Sequence, residues 1–163
     1  MPPLLAPAPL SWVACLLALT ALVGCAPGPH PGSAGGPGVP EAWGRSHVVE
    51  VAQTALGAPY RFGGNGNPGF DCSGLIRFAY QEVGLSVPRT VARLRDRARS
   101  VPLDHARPGD LLFFRLSGKV SHVALYLGEK RFIHAPSRGE RVTYGSLNDS
   151  FWRRHLVGAG QVF

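Results

Sequence analysis

Along the chain, apolar residues fall into three kinds of pattern. Residues 1–24 are uncharged and mostly apolar, with a run from Leu10 to Gly24, and residues 26–40 have no periodicity at all. From Glu41 to Leu56, Val48, Val51, Ala52 and Ala55 share one side and Gly57 follows, which predicts a helix. Residues 58–69 are too rich in glycine, proline and asparagine to be helical, whereas Leu75, Ile76, Phe78, Ala79 and Tyr80 again have helical spacing. A second helix is therefore expected to begin at about Cys72 and stop near Gly84. After Val87-Pro88-Arg89, Thr90 can cap a third helix over Val91 to Arg99. Beyond the turn Arg107-Pro108-Gly109-Asp110 the pattern changes to short β-branched or aromatic runs: Leu111–Leu116, Ser121–Leu127, Arg131–Ala135, Arg141–Tyr144 and Val157–Phe163. Helices first and strands afterwards predict an α+β domain whose antiparallel sheet, of five to six strands, packs on the Cys72 helix.

The N-terminal part divides differently. The run from Leu10 to Gly24 is too short for a comfortable membrane span and has the size of a signal-peptide core. Leu22-Val23-Gly24-Cys25 resembles the lipobox of bacterial lipoproteins, which implies that Cys25 is diacylated and becomes the mature N-terminus. Residues 26–40 hold five prolines and five glycines and read as a tether. At ~3.1 Å per residue a tether of this kind spans several tens of Å. The expected division is signal peptide 1–24, lipidated cysteine and tether 25–40, and one folded domain 41–163.

Charge changes little in this picture. All 17 Lys and Arg and all 10 Asp and Glu lie between Glu41 and Arg154, so the +7 belongs to the folded part. Such a surface attracts polyanions without choosing among nucleic acid, anionic lipid and wall polymer. Arg93, Arg95, Arg97 and Arg99 are expected to form a solvated basic face of the third helix. Three cysteines, Cys15, Cys25 and Cys72, give neither a disulfide framework nor zinc-ligand spacing, so no metal is expected.

Candidate chemistry centres on Cys72. A helix N-terminus presents free backbone amides and the positive end of the macrodipole, both of which favour a thiolate. At an ordinary pKa only about 3% is thiolate at pH 7, whereas a pKa near ~6 makes it roughly 90%. The thiolate needs a partner that accepts and returns protons, and histidine has the suitable pKa. Of six histidines, His30, His47, His105 and His155 sit in the tether or in polar surroundings and are expected at the surface. His122 and His134 lie on two strands of one hairpin around Gly128-Glu129-Lys130-Arg131. With a plain two-residue loop they would point to opposite faces. A one-residue shift, through a longer loop or a bulge, sets His134 opposite Ala124 and on the face of His122, and this register is the expected one.

The motifs are specific when taken together. Gly57-Ala58-Pro59-Tyr60-Arg61-Phe62-Gly63-Gly64, Gly69-Phe70-Asp71-Cys72-Ser73-Gly74-Leu75, Pro88-Arg89-Thr90, Pro108-Gly109-Asp110-Leu111-Leu112-Phe113-Phe114, Ser121-His122-Val123-Ala124-Leu125-Tyr126-Leu127-Gly128 and Phe132-Ile133-His134-Ala135 resemble the NlpC family of papain-like bacterial cell-wall cysteine peptidases. The resemblance spans about Ala42 to Phe163. It implies a papain-like fold with Cys72 as nucleophile, His122 as general base and acid, and His134 as the polar third member. It further implies that Tyr60 sets its hydroxyl by the reacting carbonyl and that Asp71 and Ser73 line substrate subsites. Leu94 stands where the family often has Gln, so a polar contact near the cleft is expected to be missing, and Lys130 replaces a common turn glycine.

The implied activity is hydrolysis of amide bonds in peptidoglycan stem peptides or cross-links near diaminopimelate, with no cofactor. Two other readings stay open: an acyltransferase or lipid-modifying thiol enzyme on the same fold, and a non-catalytic wall-binding lipoprotein. The expected partners are peptidoglycan and, through Cys25, a membrane, with no nucleic acid and a monomeric chain. Ala26 after the lipidated cysteine points to the outer membrane facing the periplasm of a bacterial envelope.

Overall fold

The computed structural model describes residues 40–163. The signal peptide, Cys15, Cys25, His30 and the tether residues up to 39 lie outside the described residues. Helix α1, Glu41–Thr54, is followed by a two-stranded hairpin of β1, Asn65–Gly66, and β2, Gly69–Phe70. Then come α2, Cys72–Glu82, α3, Val91–Arg97, and β3, Arg99–Val101. The remaining elements are β4, Leu111–Leu116, β5, Lys119–Gly128, β6, Arg131–His134, β7, Thr143–Ser146, α4, Ser150–His155, and β8, Leu156–Gln161. Six strands form one antiparallel sheet in the order β3-β8-β4-β5-β6-β7, as the α+β expectation requires.

Each main helix forms for local reasons visible in its ends. Asp71 caps α2, accepting the Gly74 N–H at 2.7 Å, and α2 stops at Gly84, whose φ of +77° suits a residue without Cβ. Thr90 caps α3 through the Arg93 N–H, as expected. That helix ends before Arg99, however, because Arg99, Ser100 and Val101 pair with Gln161, Gly160 and Ala159 of β8. Sheet hydrogen bonds at an open edge outweigh the helical preference of the arginine run. The arginines at 93, 95, 97 and 99 are all exposed, but the last belongs to the sheet.

The apolar periodicity becomes two cores, one on each face of the sheet. Leu75, Ile76, Ala79 and Tyr80 of α2 and Val48, Val51 and Ala52 of α1 pack on Val123, Leu125 and Ile133. On the other face Leu112, Phe114, Ala124, Tyr126 and Phe132 gather with Leu147 and the half-buried Trp152. Fully burying one such large apolar side chain contributes about 1.5–3 kcal/mol. One ion pair is built into the seam: Arg45 of α1, only 6% exposed, meets Asp110 at 2.6 Å and so ties α1 to the turn that feeds β4.

Two bulges set the positions of the histidines. Phe114 pairs with His122 and Arg115 with Val120, so Ser121 is an extra residue in β5. Tyr126 pairs with Phe132 and Gly128 with Arg131, so Leu127 is a second extra residue. The tip is a tight turn in which Glu129 and Lys130 both have positive φ, 51° and 61°, as a two-residue hairpin turn demands. With Leu125 opposite Ile133, His134 falls level with Ala124 and on the face of His122. The expected register holds, and a bulge supplies the shift.

Candidate active site

Cys72 opens α2 and lines a cleft of about 400 Å³ together with Tyr60, Asp71, Ser73, Arg89 and Ser121. The wall of this cleft is a hydrogen-bonded knot around Asp71. Its carboxylate accepts from the N–H groups of Gly63 (2.9 Å) and Gly74 (2.7 Å), from the Ser73 hydroxyl (3.2 Å), and from both terminal nitrogens of Arg89 (2.8 and 2.6 Å). Burial alone would raise the Asp71 carboxyl, but the Arg89 and amide hydrogen bonds hold it below its ordinary value. Arg89 also reaches the Ser73 hydroxyl and the Gly64 carbonyl, so it braces the loop, the cap and its own turn at once.

Glycine is required where this loop meets the helix. A Cβ on Gly74 would lie 1.8 Å from the Gly64 carbonyl oxygen, closer than any side chain permits. The first turn of α2 is bare at this point so that the loop bearing Gly63 and Gly64 can press against it.

The Val123 N–H of β5, in the peptide that joins it to His122, is near enough to favour the Cys72 thiolate. Burial pushes the thiol above its ordinary pKa. The N–H groups of Val123, Ser73 and Cys72 oppose this, and the neighbouring Asp71 reinforces it. The helix-terminus argument anticipated the opposite direction. The amides at the start of α2 act in the expected direction, but the desolvation of the partly buried thiol outweighs them. Tyr60 shifts the same way, raised by burial and by Cys72 and Asp71, so its phenol stays protonated and able to donate.

On β5 and β6, His122 Nε2 and His134 Nδ1 are 2.9 Å apart. Both rings are buried, at 3% and 2% exposed, and burial lowers their pKa to about 3 for His122 and about 4 for His134. His134 adds a further lowering at His122, since two neighbouring cations would repel. The pair is therefore neutral at neutral pH, with one ring donating and the other accepting. Trp152 packs on both, with ring centroids 4.8 Å from His134 and 5.6 Å from His122, and Phe114 and Phe132 complete the enclosure. Asp149 caps the short helix that supplies Trp152, accepting the Phe151 N–H at 2.7 Å.

The NlpC/P60 family, by its sequence model, matches residues 57–161. The chain belongs to the NlpC/P60 family. Murein DD-endopeptidase MepH of Escherichia coli is 39% identical over 113 residues, which are 66% of this chain and 42% of that protein. The gamma-D-glutamyl-L-lysine dipeptidyl-peptidase of Bacillus subtilis is 32% identical over 119 residues, 71% of this chain and 40% of the other. A Staphylococcus aureus NLP/P60 protein, described as similar to lipoprotein, superposes with a TM-score of 0.68 at 36% identity, covering 74% of this chain and 42% of its own. The chain thus spans about two fifths of the length of these relatives.

Within this NlpC/P60 domain, Cys72, Tyr60, Asp71 and Ser73 share one cleft. His122 and His134 share one face of the sheet and do not line that cleft, which β5 reaches through Ser121, the residue before His122. Ser73 is 5% exposed and its hydroxyl is occupied by Asp71 and Arg89. Leu94 is 1% exposed in the helix-side core, so the residue type at that position bears on packing and not on the cleft. Of the other histidines, His47 stacks on Trp43, His105 lies in the loop before β4, and His155 ends α4. Two functional neighbours escaped the sequence reading. Arg89 was visible only as part of the Pro-Arg-Thr motif, and Trp152 had no signal beyond being an aromatic residue near the C-terminal strand.

Proposed function

We propose that the protein is a cysteine peptidase that hydrolyses amide bonds of peptidoglycan, with Cys72 as nucleophile, His122 as proton carrier and His134 as its orienting partner. The observation that supports this most strongly is Cys72 in an open cleft that Ser121 of β5 also lines, with the next residue of that strand, His122, hydrogen-bonded to His134. Because burial keeps both the thiol and the imidazole neutral at rest, thiolate and imidazolium form together by proton transfer from Sγ to His122.

The thiolate attacks the amide carbonyl carbon, and the electron pair moves to the carbonyl oxygen. The Cys72 N–H and the Tyr60 hydroxyl stabilise that oxyanion, each such donor contributing roughly 3 kcal/mol. Imidazolium 122 protonates the leaving amine as the C–N bond breaks, leaving a thioester. His122 then takes a proton from water, whose oxygen attacks the thioester, and the released thiolate recovers that proton as the acid product departs. His134, accepting from the Nε2–H of His122, selects the tautomer whose other nitrogen is free to receive the thiol proton.

The finer reading is that the bond lies in a stem peptide or cross-link near diaminopimelate. Relatives named as a murein DD-endopeptidase and as a gamma-D-glutamyl-L-lysine dipeptidyl-peptidase support that substrate class, and cross-link cleavage is the favoured form. Incubation of the purified protein and a Cys72→Ala control with isolated muropeptides tests it. Conversion of cross-linked dimers to disaccharide tetrapeptide monomers is expected, whereas trimming to dipeptide stems identifies the other bond. Absence of any product that the control lacks overturns the assignment.

The anchor belongs to the same proposal: Cys25 carries fatty acyl chains and holds a monomeric enzyme in the bacterial envelope, at the outer membrane facing the periplasm. The lipobox resemblance of Leu22-Val23-Gly24-Cys25 supports this. Fatty-acid labelling of the intact protein, lost in Cys25→Ser, is the expected result. Label retained in that variant contradicts it.

A further inference from the structure

The charges of the Cys72 cleft cancel internally: Asp71 and Arg89, its charged lining groups, grip each other through two hydrogen bonds. A surface that draws a charged polymer to this cleft therefore lies outside it. Arg45, Arg89 and Arg107 are the arginines held in ion pairs among the described residues. The arginines of α3 are not. Arg93, Arg95 and Arg97 are exposed, as is Arg99 at the start of the outermost strand β3, and Asp96 is the one acidic residue between Val83 and Leu103.

Packing does not account for this run. Leu94, 1% exposed, is the residue that α3 buries, and the Thr90 cap holds the start of the helix. Arg93 and Arg97 stand one turn apart, a spacing at which like charges repel and weaken a helix. A helix that keeps this repulsion without a paired acid turns a cationic face to the solvent, where it attracts anions.

The position of the face singles out its partner. Thr90 and Val91, the cap and first residue of α3, line the Cys72 cleft, so the helix begins at the cleft rim. At 1.5 Å of rise per residue, Arg93 to Arg97 lie roughly 3 to 9 Å further along the axis than Val91. A polymer that extends from Cys72 past Thr90 thus runs along the arginines, and the stem peptides of peptidoglycan carry free carboxylates. A guanidinium meets a carboxylate through two parallel hydrogen bonds.

We propose that the exposed arginine face of α3 is a docking surface for peptidoglycan, binding carboxylates of the wall peptides that flank the bond held at Cys72. The proposal takes its ligand from the peptidase reading and adds a surface outside the cleft.

Co-sedimentation of the full chain carrying Cys72→Ala with isolated sacculi tests this without cleavage. Arg93→Gln, Arg95→Gln and Arg97→Gln together are expected to weaken binding about tenfold at low salt, because three exposed charge contacts are lost, with melting temperature unchanged. Arg93→Lys, Arg95→Lys and Arg97→Lys together are expected to recover most of it. Sacculi whose carboxylates have been amidated are expected to bind the arginine-bearing chain as weakly, a result that needs no substitution in α3. Binding that survives amidation, or that is indifferent to the Gln replacements, overturns the docking surface, and cleavage by the wild type then leaves the peptidase standing. Arginine-dependent binding by a protein whose wild type cleaves nothing preserves the docking surface and removes the peptidase. Arginine-dependent sedimentation of the Cys25→Ser chain with phosphatidylglycerol vesicles, and none with sacculi, assigns the face to a membrane and overturns the proposal.

Discussion

The two faces of the central sheet are equally dry and differ in what they bury. Toward α1 and α2, Val123, Leu125 and Ile133 are wholly covered by aliphatic side chains, and this face contributes stability. One residue along in β5 and β6, alternation turns His122, Ala124, Phe132 and His134 to the other face, among Phe114, Tyr126 and Trp152. There the same exclusion of water acts on two imidazoles, lowering them to about 3 and about 4 and so keeping both neutral at neutral pH. Burial on one face is therefore a matter of packing, and on the other of protonation state.

Substitutions that exchange the two roles test this contrast. The largest effect is expected from His122→Ala, which removes the proton carrier and lowers kcat by about a thousandfold or more, read from initial rates on muropeptides with circular dichroism as the control for folding. Loss of fold without specific loss of rate would place His122 with the packing residues. Next comes Leu75→Ala on the helix side, expected to cost about 2–5 kcal/mol in denaturant unfolding while the folded fraction keeps its kcat. Loss of catalysis there at unchanged stability would blur the two faces.

The smallest effect is on pH dependence. Unfolded histidines titrate near 6.5, whereas in the fold His122 and His134 titrate at about 3 and about 4. Between those values the unfolded chain binds more protons, so unfolding free energy rises with pH through this window. The contribution is complete above about pH 6.5 and is lost as pH falls towards 3. Denaturant midpoints at pH 7, 5 and 4 are expected to decline in that order. In Trp152→Phe, with less cover over the pair, the decline is expected to be shallower, and equal slopes would remove Trp152 from the enclosure.

Much of this was legible in local patterns. The caps Asp71 and Thr90, the apolar stripe of α2 and the alternation in β4 to β6 all act between near neighbours, and even the hairpin register followed from asking which shift puts His122 and His134 on one face. What escaped depends on distant partners. Arg99–Val101 is a strand because β8 lies beside it, a pairing some sixty residues away that the local arginine run conceals. The last predicted strand but one, Arg141–Tyr144, lies two residues further on at Thr143–Ser146, where it meets β6. Ser150–His155 is too short to show a period, so Trp152 passed unremarked. The raised Cys72 pKa follows from burial, which no helix-terminus argument contains.

The central claim is that proton transfer to His122 makes the Cys72 thiol reactive. The rate of iodoacetamide alkylation of Cys72 against pH, compared in the wild type and in His122→Ala, reads this directly. In the wild type substantial reactivity at neutral pH is expected, with an acid limb that reports the pair. His122→Ala is expected to react about thirtyfold more slowly at pH 7 and to gain reactivity only in the alkaline range of a buried thiol. Superimposable profiles would show that the sulfur ionises without the imidazole and would contradict the account.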